Sequence, residues 1–481
     1  MKFGNKIARR KPFDKNDPQY VSMRAFFSVL ITLALPIAMQ NLLSTTASMV
    51  DTIMIGSEGE LSVAAVGICS QICSLFFSCY WGFASGSILF FSQYWGARDE
   101  KGINMTFGLT LICMGLVGLG FGVLSIFQPQ FLLNLYTDKA DIVALGIPYI
   151  RIVGFSFILQ VLGVLMSLLM RATERVKAPL ICSTVGILVN FCLNWVLIYG
   201  RFGAPKMGVA GAAVGTLASS AVNLTLLTIY VLRSDCSVRL HLSQIFSFNR
   251  SFLGRYLSKC FPILCNELLY GLGQMLINIV IGHQNKSAIA AMAAFRVCEG
   301  FVYAFFGGLS NATSVVVGKE VGAGNLRKGY HFAWRSSMFC PLVTFTIVLI
   351  CTILNRPLFG LFGLGAQAMM YGRYMLYIYL ILGSIRTCNY IMNECYRAGG
   401  EAIVGTVFEV ACLFLISVPA TWASGMIFHL PFLAVFAFVY TDEILRLIVL
   451  TTYTRTGRWI KPVTAQGAAR REAFLQELHG K

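Results

Sequence analysis

Asp51 stands in the run SerMetValAspThrIleMetIleGly, the one acidic residue inside the apolar stretches of the first half of the chain. A charge held in hydrocarbon costs at least about 2.5–3.5 kcal/mol on insertion scales, so it needs a partner or a task. Asn190 and Asn194 lie four residues apart, which puts both amides on one face of a helix. One carboxylate with two amide oxygens makes an oxygen cage for a small hard cation such as Na⁺, or a carboxylate that takes up and gives up a proton. Either chemistry lets Asp51 couple ion movement to conformation. The second half carries Glu267 and Glu409, each a candidate to neutralise an organic cation or carry a proton, with Arg386 as a counter-ion for either. Arg296 and Glu299, three apart, and Asp442 and Arg446, four apart, have the spacing of pairs on one helix face. Met275, Phe301, Tyr303, Phe305 and Phe306 add soft and aromatic surface suited to lipophilic cations.

The elements that must hold these residues are legible from composition. Of 481 residues, 57% are hydrophobic and 12% charged, and the mean hydropathy is +0.70. Soluble domains carry about twice that share of charge, so a soluble globular enzyme is excluded. The apolar runs are continuous rather than alternating, which excludes a β-barrel and predicts an all-α membrane protein. Twelve spans are expected, starting near residues 27, 61, 103, 143, 178, 209, 258, 288, 332, 366, 403 and 431. The net charge of +17 suits the basic loops of a multi-pass protein better than a nucleic-acid surface. Most of the Lys and Arg fall on the side of the termini, whereas the opposite loops hold Lys139, Arg201, Lys206, Lys286 and Arg356. Both termini are therefore expected in the cytoplasm, with the chain in the cytoplasmic membrane. The basic start, from Lys2 to Lys15, lacks the short apolar core and cleavage site of a signal peptide. The 15 Cys contain no CxxC pair and read as packing residues.

An internal repeat organises the rest. The shift that lays Pro36 on Pro262 also lays Ala64-Ala65 on Ala290-Ala291, Gly82 on Gly308, Gly96-Ala97 on Gly322-Ala323, and Arg171-Ala172 on Arg397-Ala398, with no gap between them. Six spans separate the copies, so both insert in the same direction, as two six-helix bundles related by a pseudo-two-fold axis. The expected organisation is a basic tail over 1–26, an N-lobe over 27–232, a linker over 233–257, a C-lobe over 258–454 and a C-terminal tail over 455–481 at the membrane surface. Such duplication is the plan of an alternating-access carrier. Pro36 and Pro262 sit within helical runs, where the ring removes a backbone hydrogen bond and lets the helix bend.

The motifs resemble those of the multidrug and toxic compound extrusion (MATE) family in its bacterial NorM-like branch. They are ValAspThrIleMetIleGly (50–56), LeuSerValAlaAlaValGly (61–67), GlnTyrTrpGlyAlaArgAsp (93–99), the stretch from Asn190 to Pro205 with GlyValAlaGlyAlaAlaValGlyThr (208–216), ProIleLeuCysAsnGlu (262–267) and ArgAlaGlyGly (397–400). The resemblance implies two six-helix lobes and efflux of cationic or amphipathic organic compounds by antiport with Na⁺ or H⁺. It implies an N-lobe cation site of Asp51, Asn190 and Asn194, with Thr216 as a further member, and a role for Glu267 as the acidic residue of the seventh helix. Arg386 stands near the position where some members carry a mid-helix acid, which sets a C-lobe Na⁺ site aside and leaves Glu409 to take over part of that role. Asn194 stands where some H⁺-coupled members have an aspartate, which leans toward Na⁺.

No cofactor is expected beyond the coupling ion, and the expected partners are small organic cations or drugs, Na⁺ or H⁺ and the bilayer, with the chain a monomer. The five His are scattered, and no DDxxD, HExxH or nucleotide-binding GxxxxGK[ST] run is present, which argues against an enzyme. The rival reading is a flippase for lipid-linked saccharides, which would want a cavity lined by several Arg.

Overall fold

The computed structural model describes residues 21–233, 240–360 and 362–479. The basic residues Lys2 to Lys15 and positions 234–239 of the expected linker lie outside that range. Among the described residues every regular element is a helix and no strand occurs. In the first copy the order is α1 (Met23–Gly56), α2 (Glu60–Ala97), α3 (Glu100–Phe127), α4 (Pro129–Asn134), α5 (Ala140–Ala172), α6 (Lys177–Tyr199) and α7 (Val209–Arg233). After a short α8 (Leu242–Ile245) the second copy runs α9 (Arg250–Gly282), α10 (Lys286–Gly322), α11 (Leu326–Ile353), α12 (Asn355–Gly360) and α13 (Ala366–Gly399). It ends in α14 (Ala402–Cys412), α15 (Val418–Trp422), α16 (Phe432–Phe438), α17 (Thr441–Arg455) and the tail helix α18 (Ala465–His479). Two π-helical stretches, Leu413–Ser417 and Ala423–Ile427, link α14 and α15 into one span from Ala402 to Ile427.

The repeat read from the sequence is a repeat of elements. The shift that carries Pro36 onto Pro262 also carries both ends of α3 onto those of α11, both ends of the short α4 onto those of α12, and the start of α5 onto that of α13. Eleven helices among the described residues are long and apolar enough to cross a membrane. The twelfth expected span is divided at Val439–Tyr440 into α16 and α17, and α17 opens with Asp442 and Glu443. The helices turn apolar side chains outward, as Leu415 at 77% exposure and Ile53 at 70% show, and keep Thr, Ser, Asn and charged residues inside. That polarity is the inverse of a water-soluble protein and is what a lipid solvent demands.

The chain divides into two compact units, one of Met1–Ala38, Ser92–Asp99 and Leu268–Lys481, the other of Met39–Phe91 and Glu100–Glu267. These differ from the lobes expected at 27–232 and 258–454, and glycine contacts give the reason. Gly308 on α10 approaches Ala38 on α1 so closely that an added Cβ would lie 2.6 Å from the Ala38 side chain. Its repeat partner behaves alike: a Cβ on Gly82 of α2 would lie 2.4 Å from the Cα of Leu264 on α9. The first parts of α1 and α9 are therefore packed with elements of the other copy, one contact within each unit. The repeat partners Gly96 and Gly322 make a reciprocal crossing of α2 and α10 in the first unit. A Cβ on Gly96 would meet the Lys319 carbonyl at 1.9 Å, and one on Gly322 the Gln93 carbonyl at 2.0 Å. Small residues let the backbones approach where lipid supplies no hydrophobic drive between helices.

The C-terminal tail, expected at the membrane surface, is a packed element of the first unit. The Gln93 side chain is fully buried; its Nε2 donates to the Ala398 carbonyl and its Oε1 accepts from the Val463 N–H, both at 2.8 Å. Thr464 Oγ1 donates to the Gly322 carbonyl at 2.8 Å, the Lys461 N–H donates to the Gly399 carbonyl at 2.7 Å, and Trp459 is wholly buried against Gly399. In the second unit α8 closes on α3, with the His241 N–H donating to Asn104 Oδ1 at 2.9 Å.

Substitutions at the crossing and at the bridge test this packing separately. Gly96→Ala forces α2 and α10 apart and should destabilise by about 1–3 kcal/mol, the usual cost of overpacking, read as a lower thermal midpoint in detergent. Gly120→Ala, in open space, should leave that midpoint unchanged. Gln93→Ala strands a buried carbonyl and a backbone N–H at once and should cost about 2–4 kcal/mol, since each such group costs about 1–3; a midpoint equal to that of the native chain would contradict the bridging role.

Candidate functional site

Two polar clusters lie within the helices, one in each unit. In the second unit α1 brings Asp51 against α6, which carries Asn190 and Asn194 one turn apart. Asn194 is fully buried, and its Nδ2 donates to Asp51 Oδ1 at 2.7 Å. Asn190 is satisfied when its carboxamide turns its nitrogen to Asp51: Nδ2 then donates to the same Oδ1 at 2.9 Å, and its oxygen accepts from the Thr216 backbone N–H at 3.2 Å. In the opposite orientation its oxygen faces the Asp51 acceptor and accepts from Asn194 Nδ2 at 3.2 Å. Thr216 thus joins through its backbone, while its hydroxyl donates to the Ala212 carbonyl at 3.1 Å.

With Asn190 turned this way, both amides point donors, not oxygens, at the carboxylate. The Asn194 oxygen faces α7 at Gly215, where a Cβ would come within 2.0 Å of it, and it has no hydrogen-bond partner. Gly215 leaves the space that lets the buried amide sit flat against α7. In this arrangement the cluster holds a carboxylate by charge-assisted hydrogen bonds; an oxygen cage for Na⁺ would require both amides to turn. Among the described residues no group of three or more His, Cys, Asp or Glu is placed to hold a metal ion, and the described cysteines are free thiols.

The second cluster, in the first unit, is a chain of ion pairs around a cavity of about 100 Å³. Arg386, from the middle of α13, donates to Glu299 of α10 at 2.5 Å and to the Tyr270 hydroxyl of α9 at 2.9 Å. Its Nε lies 3.9 Å from Glu443. Arg446 of α17 pairs with Glu409 at 3.0 Å, with Glu443 at 3.5 Å and with Asp442 at 3.8 Å. Asn393 donates to Glu409 and Asn389 to Glu443, each at 2.8 Å, and Ser417, at the end of the first π-helical stretch, donates to Asp442 at 2.6 Å. Arg397 reaches Glu394 at 2.9 Å. Each of these carboxylates is thus paired with an arginine, as a low-dielectric interior requires, while Arg446 Nε is left without a hydrogen-bond partner.

The sequence-predicted residues are distributed between these clusters. Asp51, Asn190, Asn194 and Thr216 come together. Glu409 and Arg386 both line the cavity, but the cation on Glu409 is Arg446, and Arg386 answers Glu299. Glu267 closes the second unit's part of α9, half-buried and apart from the cavity lining. Asp442 and Arg446 pair along their helix as their spacing predicts, whereas Arg296 bonds Asn278 and leaves Glu299 to α13. Pro36 and Pro262 lie inside α1 and α9, and the chain changes unit two residues after the first and five after the second. Tyr270, Tyr440, Asn389 and Asn393 escaped the sequence reading, because an aromatic or amide in an apolar helix carries no mark of its partner.

The MatE family model matches residues 36–196 and again 262–423, so the two matches begin at the repeat partners Pro36 and Pro262. The chain is 23% identical over 455 residues to the uncharacterized transporter YisQ of Bacillus subtilis, covering 94% of this chain and 97% of that one. It is 22% identical over 453 residues to the probable multidrug resistance protein NorM of Thermotoga maritima, covering 90% and 93%. The crystal structure of a MATE in complex with MaL6 shares the fold at a TM-score of 0.79 and 18% identity, over 95% of this chain and 98% of that one. With two family matches that together take in most of its length, and with the duplicated helices they cover seen in the structure, the chain belongs to the MatE family.

Proposed function

We propose that this protein is a secondary antiporter of the cytoplasmic membrane, with both termini in the cytoplasm, that exports cationic or amphipathic organic compounds against an inward flux of Na⁺ or H⁺. The observation that carries the reading is Asp51, a carboxylate within a membrane helix, gripped at one oxygen by two amide donors from α6. Protonating that carboxylate or pairing it with a cation weakens the hold of the two amides on α1. Loading Asp51 therefore loosens α1 from α6, and Pro36 gives α1 a place to bend. Of the two ions the amide orientation favours H⁺, because a proton needs no oxygen ligands beyond those of Asp51. The ion is cargo, and the reading assigns no resident cofactor and no chemical conversion. Names of relatives support the substrate class: NorM of Vibrio cholerae is a multidrug resistance protein, 25% identical over 332 residues.

The flippase reading needs a cationic cavity. Arg296, Arg386 and Arg446 do line the cavity of the first unit, but Glu299, Glu409, Asp442 and Glu443 line it too, one carboxylate in excess. That balance favours a cationic passenger.

The test is ethidium transport by purified protein in liposomes under a pH gradient alone and a Na⁺ gradient alone. The pH gradient should drive uptake, and Asp51→Asn, which keeps the shape and removes the charge, should lower the rate at least about tenfold, the scale of losing one essential proton-transfer group. Full activity of Asp51→Asn, or transport driven by Na⁺ and indifferent to pH, would overturn the assignment of the proton to Asp51.

A further inference from the structure

Arg386 occupies an unusual seat. Its guanidinium touches one carboxylate and one phenol, Glu299 at 2.5 Å and the Tyr270 hydroxyl at 2.9 Å, and its central carbon stands 5.8 Å from the centre of the Tyr440 ring. The Tyr440 hydroxyl in turn donates to the same Glu299 oxygen at 3.2 Å. A carboxylate flanked by two phenols, one offering its ring face, is the set of groups that binds a delocalised or quaternary organic cation. Here the occupant is the protein's own arginine.

Three further observations say the occupant can be exchanged. First, the pair is the accessible end of the network: the Arg386 and Glu299 side chains are 24% and 23% exposed, against 5% for Arg446 and 6% for Glu443. Second, Arg386 has somewhere to go, since its Nε already lies 3.9 Å from Glu443, short of a hydrogen bond by less than an ångström. Third, the cavity lining holds four carboxylates against three arginines, so one added monovalent cation brings it to neutrality, whereas an anion would double the imbalance.

We propose that Glu299, Tyr270 and Tyr440 form a subsite for the headgroup of a monovalent organic cation, and that Arg386 is its resident competitor, which steps onto Glu443 when the headgroup enters. This rests on the reading of the protein as an exporter of organic cations and adds where in the first unit the cation is held. The arginine keeps the site neutralised between passengers, so the membrane interior never carries a bare Glu299, and it sets a threshold that only cations able to replace a guanidinium will pass.

Equilibrium binding of ethidium to the purified full chain in detergent, followed by fluorescence polarisation, separates this proposal from the export reading. Arg386→Met removes the competitor and should tighten binding by about tenfold, and Glu299→Gln should weaken it by about as much. Arg386→Lys, which keeps a charge for folding but loses the fork that reaches Glu299 and Tyr270 together, should also tighten it. The double variant Glu299→Gln with Arg386→Met should bind as weakly as Glu299→Gln alone. Unchanged or weaker binding by both Arg386 variants, or indifference to Glu299→Gln, overturns the subsite, as does absence of binding in the native chain and the Arg386 variants alike. Because transport is not the readout, export that survives with such a result leaves the antiport reading standing and removes only the subsite.

Discussion

A charge placed in hydrocarbon has to be answered by the protein, because the solvent will not answer it. That constraint orders everything seen inside these helices. Asp51 is answered by two amides, and the acids of the second copy by arginines, each of which is shared among several carboxylates. Asp51, Glu299 and Glu409 are answered from other helices, so these buried charges tie elements together. Changing the charge state of one of them changes which helices are tied.

The two copies show how the constraint separates scaffold from chemistry. The scaffold repeats at one constant interval, down to short helices and reciprocal glycine crossings. Apart from Arg397, which falls on Arg171, the charges of the two clusters do not repeat. At the interval that pairs Pro36 with Pro262, Asp51 corresponds to Ile277, Asn190 to Ile416 and Asn194 to Ala420, while Glu299 corresponds to Cys73, Arg386 to Gln160 and Arg446 to Ser220. One copy thus carries a single acid with amide donors, the other a network of acids and arginines around a cavity. A frame that fixes backbone approach through glycine and alanine leaves the inward polar positions free to diverge, so that one copy holds an acid with amide partners and the other a cavity lined by four carboxylates and three arginines.

Much of this was legible in the sequence. Apolar runs gave the spans, the constant interval gave the duplication, and helical spacing put Asn190 and Asn194 on one face with Asp51 in reach. What could not be read was direction and partnership. Spacing says that two amides meet a carboxylate, but not that both present nitrogen to it; that follows from the Thr216 N–H and from Gly215 on a third helix. Arg386 looked like a counter-ion for Glu267 or Glu409, yet its partner Glu299 lies 87 residues away on α10, a distance no local pattern reports. The lobe boundaries were drawn at the hydrophilic gap, whereas α1 and α9 pack by their glycine contacts. The tail past residue 455 reads as a surface segment, and its arginines hide how Gln93 and Trp459 anchor its start to the helices.

The proposed antiport depends on Asp51 exchanging its proton for the passenger. The most direct measurement is the number of protons released when ethidium binds the purified protein in a weakly buffered solution, followed with a pH indicator. About one proton per bound ethidium is expected from the native chain and none from Asp51→Asn, since one carboxylate titrates as one site. Equal release from both, or none from the native chain, would contradict it.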